Sequence, residues 1–98
     1  MPEPPFWKLE RFGDNLERWI DQEQPSPALR AVVINWTFAR YDDPYKGGLK
    51  RDHDQPNFYW GQIPGTLHND HVVTCGYWIF ESTRTVVCFG YATLALPL

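Results

Sequence analysis

The sequence predicts an α+β fold: an N-terminal helical hairpin packed on a three-stranded antiparallel sheet. Two periodicities carry this. Through residue 41 the large apolar side chains recur every three to four positions, and from Phe58 onward they alternate with period two. The third observation is that the central alternating segment, "HVVTCGYWIFE", is apolar on both faces, so its sheet needs cover on at least one side and the two helices are the available cover. A chain of 98 residues suits one domain, 1–98, with one core.

Prolines 2, 4 and 5 give a stiff start, and no strand is expected ahead of the first helix. Leu9, Phe12, Leu16, Trp19 and Ile20 then fall on one side of a helix expected over residues 6–22. Ser26 as N-cap and Pro27 at the first helical position open a second helix, 27–41, whose stripe is Leu29, Val32, Val33, Trp36 and Arg40. The β-branched run Val32-Val33-Ile34 would also suit a strand. Residues 42–57 combine Pro44, Gly47, Gly48 and Pro56 with many charges and read as a long exposed loop. "FYWGQI" is then a short strand and "PGTLHND" a turn. The two long strands, "HVVTCGYWIFE" and "TVVCFGYATLAL", are joined by a tight "STR" connection. In the first of them Val73, Cys75, Tyr77 and Ile79 share one face, and Val72, Thr74, Gly76, Trp78 and Phe80 share the other. Counting back from a connection at Ser82 and Thr83 pairs Tyr77 with Cys88.

Composition excludes several classes. With 43% hydrophobic and 16% aromatic residues the chain carries enough apolar surface to fold, and no apolar run approaches the ~20 residues of a membrane span. The opening "MPEPPFWKLE" lacks the pattern of a secretory signal, so the expected setting is the cytoplasm. Cys75 and Cys88 both fall inside strands and read as buried, reduced thiols rather than a disulfide framework. The formal net charge is −3, with the acidic excess in the first 24 residues, so broad electrostatic binding to nucleic acid is not signalled.

Three histidines fall in "DHD" (52–54) and "HNDH" (68–71). His53, His68 and His71 with Asp52, Asp54 or Asp70 could supply nitrogen and oxygen ligands to a zinc-like ion if the loop folded onto the turn. H-x-x-H in a turn fixes no such geometry, and solvated loop histidines or a single acid–base histidine are the competing readings; neither a metal nor any other cofactor is expected. His71, which opens the strand, is the better acid–base candidate. G-x-S-x-G, H-E-x-x-H, the Walker loop and the dinucleotide fingerprint are all absent from the sequence. Trp36, Phe58, Tyr59, Trp60, Tyr77, Trp78, Phe80, Phe89 and Tyr91 exceed what a small core needs, and suit either a core plus an oligomer or partner surface, or base stacking beside Lys50 and Arg51.

Two helices followed by "FYWGQIPGT" and "VVTCGYWIFESTRTVVCFGYATL" resemble the RelE/ParE toxin superfamily, whose members end in an antiparallel sheet after a helical hairpin. The resemblance covers about residues 25–96. It implies a toxin neutralised by a cognate antitoxin, acting either as a ribosome-dependent endoribonuclease on mRNA or on DNA gyrase. By position, the family's basic residues would correspond to Lys50, Arg51 and Arg84, and its aromatic or acid–base group to Tyr91 or His71. The implied catalytic set is thus Arg51, His71, Arg84 and Tyr91, with Lys50, Trp60 and Trp78 as RNA- or partner-binding residues. The chain departs from the family in lacking an arginine in "HVVTCGYWIFE" and in ending "LALPL". A non-enzymatic interaction module using the aromatic sheet is the alternative.

Overall fold

The computed structural model describes residues 6–96. Its elements are β1 (Lys8–Glu10), α1 (Phe12–Glu23), α2 (Pro27–Ala39), β2 (Lys50–Arg51), β3 (Phe58–Gln62), β4 (His71–Phe80) and β5 (Thr85–Ala95), with 3₁₀ turns at Pro44–Lys46 and Glu81–Thr83. The five strands form one sheet in the order β1-β5-β4-β3-β2. β1 runs parallel to β5 and every other pair is antiparallel.

The α+β class and the helical hairpin are as the periodicities require, but two details differ. The sheet has five strands rather than three. A strand does precede the first helix: Lys8, Leu9 and Glu10 pair with Thr85, Val86 and Val87, so the first helix starts at Phe12 and not at residue 6. Leu9 could satisfy a helical stripe or a strand equally well. What decides is backbone bonding: Trp7 N–H donates to Tyr41 O (2.9 Å) and Lys8 N–H to Arg84 O (2.8 Å), fixing an extended segment against the far edge. The expected long loop likewise contains a 3₁₀ turn and the two-residue β2.

α1 begins after Arg11, whose backbone is left-handed (φ 66) and supplies no side-chain cap; Asn15 Nδ2 instead donates to Arg11 O at 2.7 Å. The helix ends at a left-handed Gln24 (φ 45) whose N–H donates to Ile20 O. α2 starts as its sequence dictates, with Ser26 Oγ accepting from Leu29 N–H at 3.2 Å and Pro27 in the first turn.

The core lies between the helices and one face of the sheet. Phe12, Trp19 and Val33 pack with Val73, Cys75, Tyr77 and Ile79 of β4 and Val86 and Cys88 of β5. Tyr77 does pair with Cys88. Beyond that pair the register shifts: Gly76 faces Gly90, so Phe89 is the extra residue of a β-bulge. The bulge changes which side chains face the helices, because simple alternation from Cys88 would turn Tyr91 outward. Instead Tyr91 packs against the core and bonds α2, and Thr93 Oγ1 accepts from Trp19 Nε1 at 2.9 Å.

The other face of the sheet is left largely open. Trp60 (54%), Phe89 (66%), Leu94 (50%) and Phe80 (40%) all remain exposed.

Candidate functional site

The open face holds a groove of about 550 Å³ running from β3 across β4 to the edge of β5. Its floor is two glycines paired in register, Gly76 and Gly90, with Trp60 opposite Gly76 on the next strand. Its aromatic walls are Phe58 and Phe89, 5.8 Å apart and edge-on, and Trp78 packs against both, 4.9 Å from Phe58 and 5.6 Å from Phe89. Gln62, Thr74, Ala92 and Leu94 complete one end, and Asn15 and Arg18 of α1 border the other.

Trp60 is held at the rim by a 3.0 Å hydrogen bond from its indole Nε1 to Asp52 Oδ1. Donation from Asp54 N–H, the Trp60 indole and Gln55 N–H holds the Asp52 carboxyl below its ordinary value. Lys50 pairs opposite Trp60 and stands on the same face.

Of the ionisable residues along the groove, Arg18 borders it, while Cys75 and Tyr91 turn their side chains to the helix face of the sheet. Burial pushes both the Cys75 thiol and the Tyr91 phenol up, so neither is a base at neutral pH. The groove can stack and enclose a ligand; its lining holds no group suited to moving a proton near neutrality.

The residues expected to be catalytic do not converge. His71 opens β4 and Arg84 follows the turn at its other end, and ten extended residues between them span about 30 Å. Tyr91 lies on the helix face, its hydroxyl 2.6 Å from Thr37 Oγ1. Arg51 sits on the edge strand opposite Tyr59, with its side chain on the helix side of the sheet. Of the seven residues singled out, Lys50, Trp60 and Trp78 share the open face.

Arg84 has a different environment from a substrate-binding arginine. Its guanidinium lies 4.7 Å over the Trp7 ring, and Nε is buried without a hydrogen-bond partner. Trp7 begins a run of ring contacts through Tyr45 (6.0 Å), Tyr59 (5.7 Å), Tyr77 (6.3 Å) and Trp36 (6.2 Å), and Arg40 closes it at 4.9 Å from Trp36. A guanidinium therefore stacks on each end of a run of five rings, of which Trp7 and Tyr77 are buried and Tyr45 is exposed.

The histidines stay apart. His68 and His71 exchange two backbone hydrogen bonds across a two-residue turn, in which Asn69 (φ 50) and Asp70 (φ 61) are both left-handed. His53 is fully exposed beside Asp54. Among the described residues no group of three or more His, Cys, Asp or Glu side chains is placed to hold a metal ion.

Gly76 and Gly90 were not among the expected site residues. The available signal was a glycine in the middle of each long strand, where glycine weakens a sheet unless something approaches closely.

Neither a family model nor a curated protein matches this sequence. Among solved structures, the fold is similar to that of the E. coli toxin RelE, determined as an arginine-to-alanine double mutant in the free state. The TM-score is 0.59 at 10% identity, covering 89% of this chain and 82% of that one. Among the described residues no helix is long and apolar enough to cross a membrane. What the chain has in common with that toxin is its architecture: two helices on one face of a mixed sheet.

Proposed function

We propose that this chain is the toxin-like component of a cytoplasmic toxin–antitoxin pair, neutralised by a cognate antitoxin, and that it acts by binding its target rather than by cleaving RNA. The observation that carries the reading is the uncovered aromatic groove on a RelE-like fold. A sheet face with Trp60 and Phe89 more than half exposed stabilises the chain little by itself, and rings in such positions are of most use when a partner covers them. The dispersal of Arg51, His71, Arg84 and Tyr91, and a groove lining without a near-neutral acid or base, argue against hydrolysis. An acidic net charge of −3 argues against tracking along a nucleic-acid backbone. The same dispersal favours, as the second reading, an interaction module without toxicity.

Inducible expression in a bacterial host, with growth and mRNA integrity followed together, tests this. Growth arrest with intact mRNA is the expected result, relieved by co-expressing a neighbouring reading frame that encodes the antitoxin. Fragmented mRNA would overturn the binding mechanism. Undisturbed growth would leave the interaction module as the better account.

A further inference from the structure

Gly90 is a glycine that neither backbone geometry nor packing requires. It is not among the residues with positive φ, so any residue could adopt its conformation. A Cβ built there would meet nothing closer than Asn15 Oδ1 at 3.8 Å, an ordinary contact. A Cβ is therefore accommodated, and a residue of higher strand propensity would strengthen the strand. Gly76, its partner across the ladder, is different: a Cβ there would lie 2.9 Å from Phe58 Cζ, so the missing side chain lets the Phe58 ring lie over the backbone. Phe58 thus closes the Gly76 half of the floor, and the Gly90 half stays open.

From this we infer that the space over Gly90 is a docking slot for an acidic segment of a partner protein, which inserts one large apolar or aromatic side chain between Phe89 and the α1 border. The inference rests on the binding reading above and names the chemistry of the partner. The groove, at about 550 Å³, is in the size range of pockets that enclose a ligand. Phe58 and Phe89 offer edges and faces to a ring laid on the glycine floor. Charge selects the flanking residues. The groove lining contains Arg18 and no carboxylate; Arg11 in the recess along α1 is offset by Asp14, and at the Trp60 rim Lys50 is offset by Asp52. Arg18, the cation without an offsetting carboxylate in the lining, suits a carboxylate beside an anchor side chain. A nucleic-acid strand, whose affinity grows with the number of phosphates neutralised, would need more.

The test uses the full ¹⁵N-labelled chain and three probes: acetyl-Asp-Trp-Asp-amide, acetyl-Lys-Trp-Lys-amide and adenosine 5′-monophosphate. The acidic peptide is expected to shift the amide resonances of Gly76, Phe89 and Gly90 and the Trp60 indole resonance, and to bind about tenfold more tightly than the basic one. Gly90→Leu should fill the slot and abolish these shifts while melting no lower than the parent chain. Arg18→Glu should remove the preference for the acidic peptide. Absence of shifts at the groove, equal binding of the two peptides, or binding that survives Gly90→Leu would overturn the proposal. Tighter binding of the nucleotide would replace it with a base-stacking site. Peptide binding is read without any growth phenotype, so a harmless protein in the expression experiment leaves the slot standing, and a slot that fails leaves toxicity standing.

Discussion

The hydroxyl of Tyr91 lies 2.6 Å from that of Thr37 and ties β5 to α2. Thr37 donates its own proton to Val33 O at 2.9 Å, so Tyr91 is the donor in this pair. Burial raises the Tyr91 phenol far above its ordinary value. The bulge at Phe89 puts this tyrosine in the core, and the chemistry expected of it at a sheet surface becomes a packing role.

Tyr91→Phe should therefore destabilise the fold by about 1 kcal/mol, the usual net worth of one hydrogen bond, and should leave any growth phenotype intact. Urea denaturation gives the first quantity and inducible expression the second. Loss of the phenotype in a variant that remains folded would restore a direct functional role to the phenol.

Arg84 supplies a second separation of structure from function. Its backbone is left-handed (φ 49), a conformation that costs a non-glycine residue roughly 1–2 kcal/mol, while its guanidinium stacks on Trp7 at 4.7 Å. Arg84→Ala loses the stack, worth about 1 kcal/mol, and keeps the strain. Arg84→Gly loses the stack and relieves the strain. The glycine variant should consequently melt above the alanine variant, and equal melting temperatures would contradict this account of the turn.

How much of this was legible in the sequence depends on how local each cause is. Helix α2 is announced by Ser26 and Pro27, β3 to β5 by the change to period two and their β-formers, and the pairing of Tyr77 with Cys88 by counting through a short connection. β1 was not legible, because three residues without a pattern become a strand only when β5, some seventy-five positions later in the chain, offers them an edge. β2 is two exposed residues in a charged loop. The bulge is the most consequential miss: an extra residue at Phe89 leaves no mark in composition, yet it turns Tyr91 inward and sets Gly90 beside Gly76. The aromatic surplus was visible, but the groove it frames came from that register.

The buried Cys75 thiol makes stability fall in alkali. Cys75 and Cys88 are 3% and 2% exposed, and burial pushes the Cys75 thiol well up. The native state holds this proton while the unfolded chain releases it above its ordinary pKa of ~8.5, so the stabilisation is complete below that value and is lost as pH rises beyond it. The melting temperature should hold between about pH 6 and 8 and then decline. The buried phenols of Tyr77 and Tyr91, raised in the same direction, extend the decline above pH ~10. Cys75→Val should flatten its first part. Iodoacetamide should label neither cysteine until the chain unfolds, and rapid native labelling would show that the strands do not bury them.

The proposed function places activity on the open sheet face and not on the helix side. It is tested most directly by comparing growth on induction of the parent chain, the double variant Trp60→Ala/Phe89→Ala, and Tyr91→Phe, each checked for folding by its melting curve. Trp60 and Phe89 are 54% and 66% exposed, so their removal should change stability little. The account predicts that the double variant folds but no longer arrests growth while Tyr91→Phe still does; arrest by a folded double variant, or loss of arrest in a folded Tyr91→Phe, would contradict it.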